Sequence, residues 1–135
     1  MPNKAPTIVR EIMSRDCYRV TGQTSVATLA EGLALHRLPG VPVVDERDHL
    51  IGFISEQDVM GKVLESSYLG DEPPLVREMM RNEVLSVSPT KSITDLAQEM
   101  LGAKPKVYPV VEQGRLVGIV TRRDVLSALI RMRHS

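Results

Sequence analysis

The stretch Leu116-Val117-Gly118-Ile119-Val120-Thr121-Arg122-Arg123-Asp124-Val125 decides the fold. Leu116 to Val120 has the aliphatic composition of a short buried strand, and the polar Thr-Arg-Arg-Asp after it has the character of a helix start. An earlier stretch repeats it: Leu50-Ile51-Gly52-Phe53-Ile54-Ser55-Glu56-Gln57-Asp58-Val59. Leu, Gly, Asp and Val recur in register, with Ser55 in the place of Thr121. Outward from there, Val9-Arg10-Glu11-Ile12-Met13 recurs as Val76-Arg77-Glu78-Met79-Met80. Val20 recurs as Val87, Leu29 as Leu96, and Pro42-Val43-Val44 as Pro109-Val110-Val111, all at one offset. The second copy is one residue shorter in a single turn. Two copies make a duplicated half-domain rather than a solenoid, which needs three or more units.

Each copy reads β-α-β-β-α. A short strand (Tyr18 to Val20; Leu85 to Val87) precedes a helix with apolar residues at helical spacing. These are Val26, Leu29, Ala30, Leu33 and Ala34 in one copy, and Ile93, Leu96, Ala97, Met100 and Leu101 in the other. Two strands follow (Val41 to Val44 and Leu50 to Ile54; Val107 to Val111 and Leu116 to Val120), joined by polar turns short enough for hairpins. A second helix begins after Ser55 and after Thr121. The expected division is a repeat over 7–66, a linker over 67–74 containing Gly70-Asp71-Glu72-Pro73-Pro74, and a repeat over 75–132, with residues 1–6 as a loose lead-in. At roughly 60 residues neither copy buries its sheet and helices alone. The fold class expected is therefore α+β, two half-domains packed about a pseudo-twofold axis with paired clefts between them.

Composition narrows the function. Of 135 residues, 42% are hydrophobic and only 3% aromatic, so the core is aliphatic. Lys plus Arg and Asp plus Glu are 17 each, leaving no overall positive field to recruit nucleic acid. The basic C-terminal Arg131-Met132-Arg133-His134 is what a helix dipole favours at that end. Cys17 stands alone, which removes an intrachain disulfide and a thiolate metal cluster and reads as a structural thiol. No signal peptide and no apolar run near ~18 residues is legible, so a cytoplasmic protein away from the membrane is expected. His36, His49 and His134 are scattered without a metal or nucleophile signature. No metal, no required cofactor and no enzymatic activity are expected.

The chemistry-bearing positions are Ser55-x-x-Asp58 and Thr121-x-x-Asp124, each at a strand-to-helix junction. One reading is a helix cap, in which the hydroxyl accepts from a first-turn N–H and the Asp favours the dipole. Ser92-x-x-Asp95 has the same spacing at another helix start. The other reading is a nucleotide site: helix N–H groups for an anion, and an Asp for two ribose hydroxyls. Arg122 and Arg123 occupy a first turn whose dipole disfavours cations. A bound phosphate would compensate; solvated arginines are the alternative. Val41-Pro42 and Tyr108-Pro109 open the middle strands, where a proline that donates nothing to the ladder belongs. Val20, Val41, Val107 and Tyr108 either form apolar walls for a flat ring or mark ordinary strand entry.

Taken together, the tandem repeat, the Val-Pro-Val-Val and Tyr-Pro-Val-Val strands and the two junctions resemble a pair of CBS (cystathionine β-synthase) domains over about residues 7–131. The resemblance implies a Bateman module that binds AMP, ADP, ATP or S-adenosylmethionine as a regulatory ligand. It further implies that each cleft takes its hydroxyl and ribose-binding Asp from one repeat and its adenine-contacting strand entry from the other. One site would combine Ser55 and Asp58 with Val107, Tyr108 and Pro109; the other would combine Thr121 and Asp124 with Val41 and Pro42. Arg122 and Arg123 stand where the first copy has Glu56 and Gln57, so the Thr121/Asp124 site is expected to hold phosphate more strongly. The first copy would depend on Lys104 or Lys106. Arg19, Ser86 and Pro39-Gly40 depart from the family pattern around the adenine contact. The partners expected are an adenine nucleotide, a second copy of the chain as a homodimer through outer helix positions, and a protein that reads the ligand state. The competing expectation is a structural pairing module without nucleotide.

Overall fold

The computed structural model describes residues 4–69 and 74–134. Half of the expected linker, residues 70–73, lies outside the described residues, as does the start of the lead-in. The order of elements is a 3-10 turn (Val9–Glu11), β1 (Val20–Thr21), α1 (Val26–His36), β2 (Gly40–Val44), β3 (Leu50–Ser55), α2 (Glu56–Leu69), α3 (Val76–Met79), α4 (Ile93–Glu99), β4 (Val107–Glu112), β5 (Arg115–Thr121) and α5 (Arg122–Arg133). Helix and strand are mixed and the pattern occurs twice, as the duplication requires.

The chain forms two compact units. The first-repeat unit is Tyr18–Val84; the second-repeat unit joins Leu85–Ser135 to the residues up to Cys17. The opening segment of each copy thus packs on the body of the other. Val9 lies fully buried among Val87, Ile93, Leu96, Met100, Tyr108, Val110, Val120, Val125 and Ala128. Val76, its equivalent, lies fully buried among Val20, Leu29, Leu33, Val41, Val43, Ile54 and Val59. All seven positions around Val76 recur around Val9, where Ile93 and Ala128 are added, and each core is completed by a valine from the opposite copy. Backbone hydrogen bonds fasten the exchanged segments: Val9 N–H to the Lys91 carbonyl and Ile93 N–H to that of Thr7 on one side, Val76 N–H to the Thr24 carbonyl and Arg77 N–H to that of Gly22 on the other.

In the first-repeat unit β1 runs parallel to β2, and β2 runs antiparallel to β3. In the second, β4 and β5 form the same hairpin, but the expected strand over Leu85 to Val87 reduces to one parallel bridge, Val87 to Val110. Val87 donates to the Pro109 carbonyl and accepts from Val111 N–H. The next rung would need an N–H from residue 89, which is proline, so the ladder stops. The β4–β5 turn uses Gln113 (φ 53°) and Gly114 (φ 82°), two successive left-handed residues that match the strand twist.

Both first helices bury a narrower stripe than their periodicity suggests. Leu29, Gly32 and Leu33 are buried in α1 while Ala30 and Ala34 are exposed. Tyr18 lies against Gly32, where any side chain would collide with its ring, and stacks on His36 with centroids 4.6 Å apart. In the second copy α4 stops at Glu99, before Gly102 (φ 85°), and leaves Leu101 exposed. Among the described residues no helix is long and apolar enough to cross a membrane.

Candidate functional site

Each unit brings its strand entry beside its own strand-to-helix junction. Gly40 is the register partner of Ser55, and Val41 that of Ile54. Val107 is the partner of Thr121, and Tyr108 that of Val120. The first helical N–H then closes back onto the residue before the strand: Glu56 N–H donates to the Pro39 carbonyl at 2.8 Å, and Arg122 N–H to the Lys106 carbonyl at 2.9 Å.

The hydroxyls and carboxylates form reciprocal caps. Asp124 N–H donates to Thr121 Oγ1 at 3.1 Å, and Thr121 N–H donates to Asp124 Oδ2 at 2.8 Å. Asp58 N–H donates to Ser55 Oγ at 3.1 Å, while the Ser55 N–H and hydroxyl donate to Asp58 Oδ2 at 3.1 and 2.9 Å. The capping expectation therefore holds at both junctions, as it does at Ser92, which accepts from Asp95 N–H. Of the early N–H groups, the first is taken by a carbonyl and the third by the hydroxyl. The second, on Gln57 or Arg123, has no such partner among the described residues, so an anion would meet one backbone donor rather than a full turn of them.

The caps also orient the carboxylates. With Oδ2 held, Oδ1 of each Asp is turned away from its own helix end. At Asp58 that oxygen meets Arg81 Nη2 at 3.3 Å. At Asp124 no hydrogen bond or ion pair engages it among the described residues. This pairing of Arg81 with Asp58 has no signal in the sequence, because the two are far apart along the chain and Arg81 lies in an exchanged segment.

Val20, Val41, Pro42, Val107, Tyr108 and Pro109 are all buried. Val20, Val41 and Tyr108 belong to the two cores, whereas Pro42, Val107 and Pro109 alternate with core residues along their strands and so point to the opposite face. Burial, with Glu99 adding to it, pushes the Tyr108 phenol above its ordinary value. Charge separates the two edges. Around Thr121 stand Lys106, Arg122 and Arg123, with Lys104 close in sequence, all exposed. The equivalent positions around Ser55 are Arg37, Pro39, Glu56 and Gln57. Arg19 is drawn to Asp48 at 3.2 Å. Among the described residues no three His, Cys, Asp or Glu side chains gather as a metal site would require.

Comparison with known proteins rests on this framework. The model of the CBS domain matches the chain twice, over residues 9–65 and 76–131. The chain belongs to the CBS-domain family. It is a tandem CBS pair, similar in fold to the CBS-pair protein CBSX2 from Arabidopsis thaliana (TM-score 0.81, 26% identity, covering 95% of this chain and 97% of that one). A structure of CBSX2 in complex with AMP matches with TM-score 0.83 and 27% identity over 95% of this chain and 99% of that one. The CBS domain pair of MJ0100, in complex with 5′-methylthioadenosine and S-adenosyl-L-methionine, matches with TM-score 0.78 and 26% identity over 94% of this chain and 98% of that one.

Among curated relatives, MJ1225 of Methanocaldococcus jannaschii is 29% identical over 90% of this chain, which spans 42% of that protein. MK0525 of Methanopyrus kandleri is also 29% identical, over 87% of this chain and 60% of that protein. The chain thus spans about half the length of these curated relatives.

Proposed function

We propose that this CBS pair is a cytoplasmic regulatory module that binds adenosine-containing ligands (AMP, ADP, ATP or S-adenosylmethionine) and passes its ligand state to a protein partner, without catalysing a reaction itself. The observation that carries the reading is the Asp124 carboxylate. One oxygen is anchored by the Thr121 N–H, and the other is oriented and, among the described residues, unpaired. That is the acceptor arrangement a ribose diol needs, and the neighbouring Arg122, Arg123 and Lys106 suit a phosphate. The AMP and S-adenosylmethionine complexes of similar CBS pairs point the same way.

A thermal-shift series with AMP, ADP, ATP and S-adenosylmethionine tests it. Ligand at a hundredfold over its Kd stabilises a fold by about 2.7 kcal/mol. The expected result is a shift with at least one ligand that Asp124→Ala abolishes. No shift with any of them, in folded protein, would reduce both aspartates to helix caps.

A specific observation also favours self-association. Met60 and Leu64 on α2 are 59% and 66% exposed, and their equivalents Leu126 and Ile130 on α5 are 58% and 48% exposed. Both second helices therefore carry the same apolar i, i+4 pair toward solvent, where scattered rather than repeated apolar residues are the norm. A second copy of the chain, meeting like surface with like in an isologous contact, covers such a duplicated feature. Light scattering should give a dimer that Leu126→Glu with Met60→Glu converts to monomer. A monomeric wild-type protein would count against this part.

A further inference from the structure

We propose that Arg81 masks Asp58, so that the two junctions are unequal: Asp124 is open to a ligand hydroxyl pair, and Asp58 opens only when its guanidinium is drawn away. This rests on reading the junctions as adenosine-binding sites, and it assigns Arg81 as the residue that sets their difference.

The geometry is specific. Asp58 Oδ2 is saturated by the Ser55 N–H and hydroxyl. Oδ1, the oxygen left for a ligand, faces Arg81 Nη2 at 3.3 Å. The Asp58 side chain is 18% exposed and that of Arg81 66%, so the guanidinium lies on the solvent side of a recessed carboxylate. A ribose diol approaching from solvent meets the cation first.

Duplication supplies the internal control. Arg81 is held by backbone pairing with Phe53: Phe53 N–H donates to the Arg81 carbonyl at 3.0 Å and Arg81 N–H to the Phe53 carbonyl at 2.8 Å. In the second-repeat unit Ile119, the equivalent of Phe53, makes the same pair of bonds with Ser14, at 3.0 and 2.8 Å. The same backbone position therefore carries Arg beside Asp58 and Ser beside Asp124. A serine side chain is several bonds too short to reach the carboxylate, which explains why Asp124 Oδ1 is left open. The difference lies in one residue, not in the fold.

The mask is a weak latch. A largely exposed ion pair contributes little, so a ligand that takes Arg81 as its own counterion displaces it at small cost. A phosphate-bearing adenosine compound can do so, whereas uncharged adenosine must break the pair without replacement. Asp58 should therefore select for phosphate, and Asp124 should accept the ribose with or without it.

Calorimetric titration of adenosine and of AMP into wild type, Arg81→Ser and Ser14→Arg tests this, with Asp58→Asn and Asp124→Asn assigning the two binding events. Both exchanged side chains are exposed, and their backbone pairing does not depend on side-chain identity. Arg81→Gln, which keeps the aliphatic stem and a polar end but loses the charge, should behave as Arg81→Ser. The expected result is that Arg81→Ser tightens adenosine at the Asp58 event by about fivefold, and that Ser14→Arg weakens it at the Asp124 event by a similar factor. AMP should respond less than adenosine at Asp58. Unchanged adenosine affinity at both events in the two exchanges would overturn the mask while leaving the adenosine reading intact. Binding of neither ligand by any of these proteins would overturn the adenosine reading, and the mask with it.

Discussion

Replacing Gly118 with alanine tests why a glycine stands inside each of the two defining strands. A Cβ at Gly118 would sit 2.7 Å from the Ser14 carbonyl oxygen and 3.1 Å from Met13 Sδ. At Gly52 it would sit 2.6 Å from Met80 Sδ and 2.8 Å from the Arg81 carbonyl oxygen. Each glycine is thus the floor on which an exchanged segment lies. Two responses are open to Gly118→Ala. The segment can leave, which forfeits Val9 burial at about 1.5–3 kcal/mol. It would also give up the hydrogen bonds of Val9, Arg10 and Ser14 and that from Ile93 to Thr7, each worth about 0.5–1.5 kcal/mol. Alternatively the contact can be accommodated by small backbone shifts, an overpacking cost of about 1–3 kcal/mol. The second route is cheaper, so the segment should stay docked and the protein should lose about 2 kcal/mol.

Gly61 provides the contrast. It lies within α2, where an added Cβ meets nothing within 4 Å, so Gly61→Ala should stabilise by about 1 kcal/mol through helix propensity. Urea unfolding of the two variants reads the signs, and hydrogen exchange at the Val9 and Arg10 amides reads docking. Equal stability of Gly118→Ala and wild type would refute the close-approach argument. Loss of protection at Val9 would refute the choice between the two routes.

Further expectations follow from single contacts. Thr121→Ala removes the hydroxyl that caps α5 and should cost about 1 kcal/mol in urea unfolding. Arg37 ends α1 in the left-handed region (φ 53°), so Arg37→Gly should raise stability by up to about 1 kcal/mol in the same assay. The Glu11 carboxylate accepts the N–H groups of Thr7 and Ile8, which hold its pKa below the ordinary value of 4.5. A group whose pKa falls on folding contributes stability above its unfolded pKa and loses it as pH drops through the folded one. Wild type should therefore lose more stability than Glu11→Gln on acidification below about pH 4.5, and the two should run parallel above pH 6. Parallel curves throughout would dismiss the contribution.

The local parts of this structure were legible and the long-range ones were not, for a physical reason that duplication makes plain. Ser55 with Asp58, and Thr121 with Asp124, are three residues apart at a helix start, so spacing alone brings each pair together. The hairpins, both second helices and nearly all of the two cores follow from periodicity in the same way. The exchanged segments do not. Val9 and Val76 stand at equivalent positions, and the apolar positions that could receive them recur in both copies. Sequence equivalence therefore identifies what the segment is without saying where it docks. The one trace was the glycine recurring at Gly52 and Gly118, whose need for a backbone neighbour names no partner.

Arg81 is the consequence. Had each segment packed on its own copy, position 81 would lie beside Asp124 and position 14 beside Asp58, and the assignment of the open and masked carboxylates would be reversed. The exchange places the charge difference between Arg81 and Ser14 with the charge difference between the two helix starts. The edge rich in Lys106, Arg122 and Arg123 keeps its carboxylate open, while the edge bearing Glu56 has its carboxylate covered. On the proposed adenosine reading, both differences favour an anionic ligand at Asp124. Two copies of one fold would thereby become distinguishable to a small molecule, as the proposed sensing role needs if one ligand is to bias one arrangement over another.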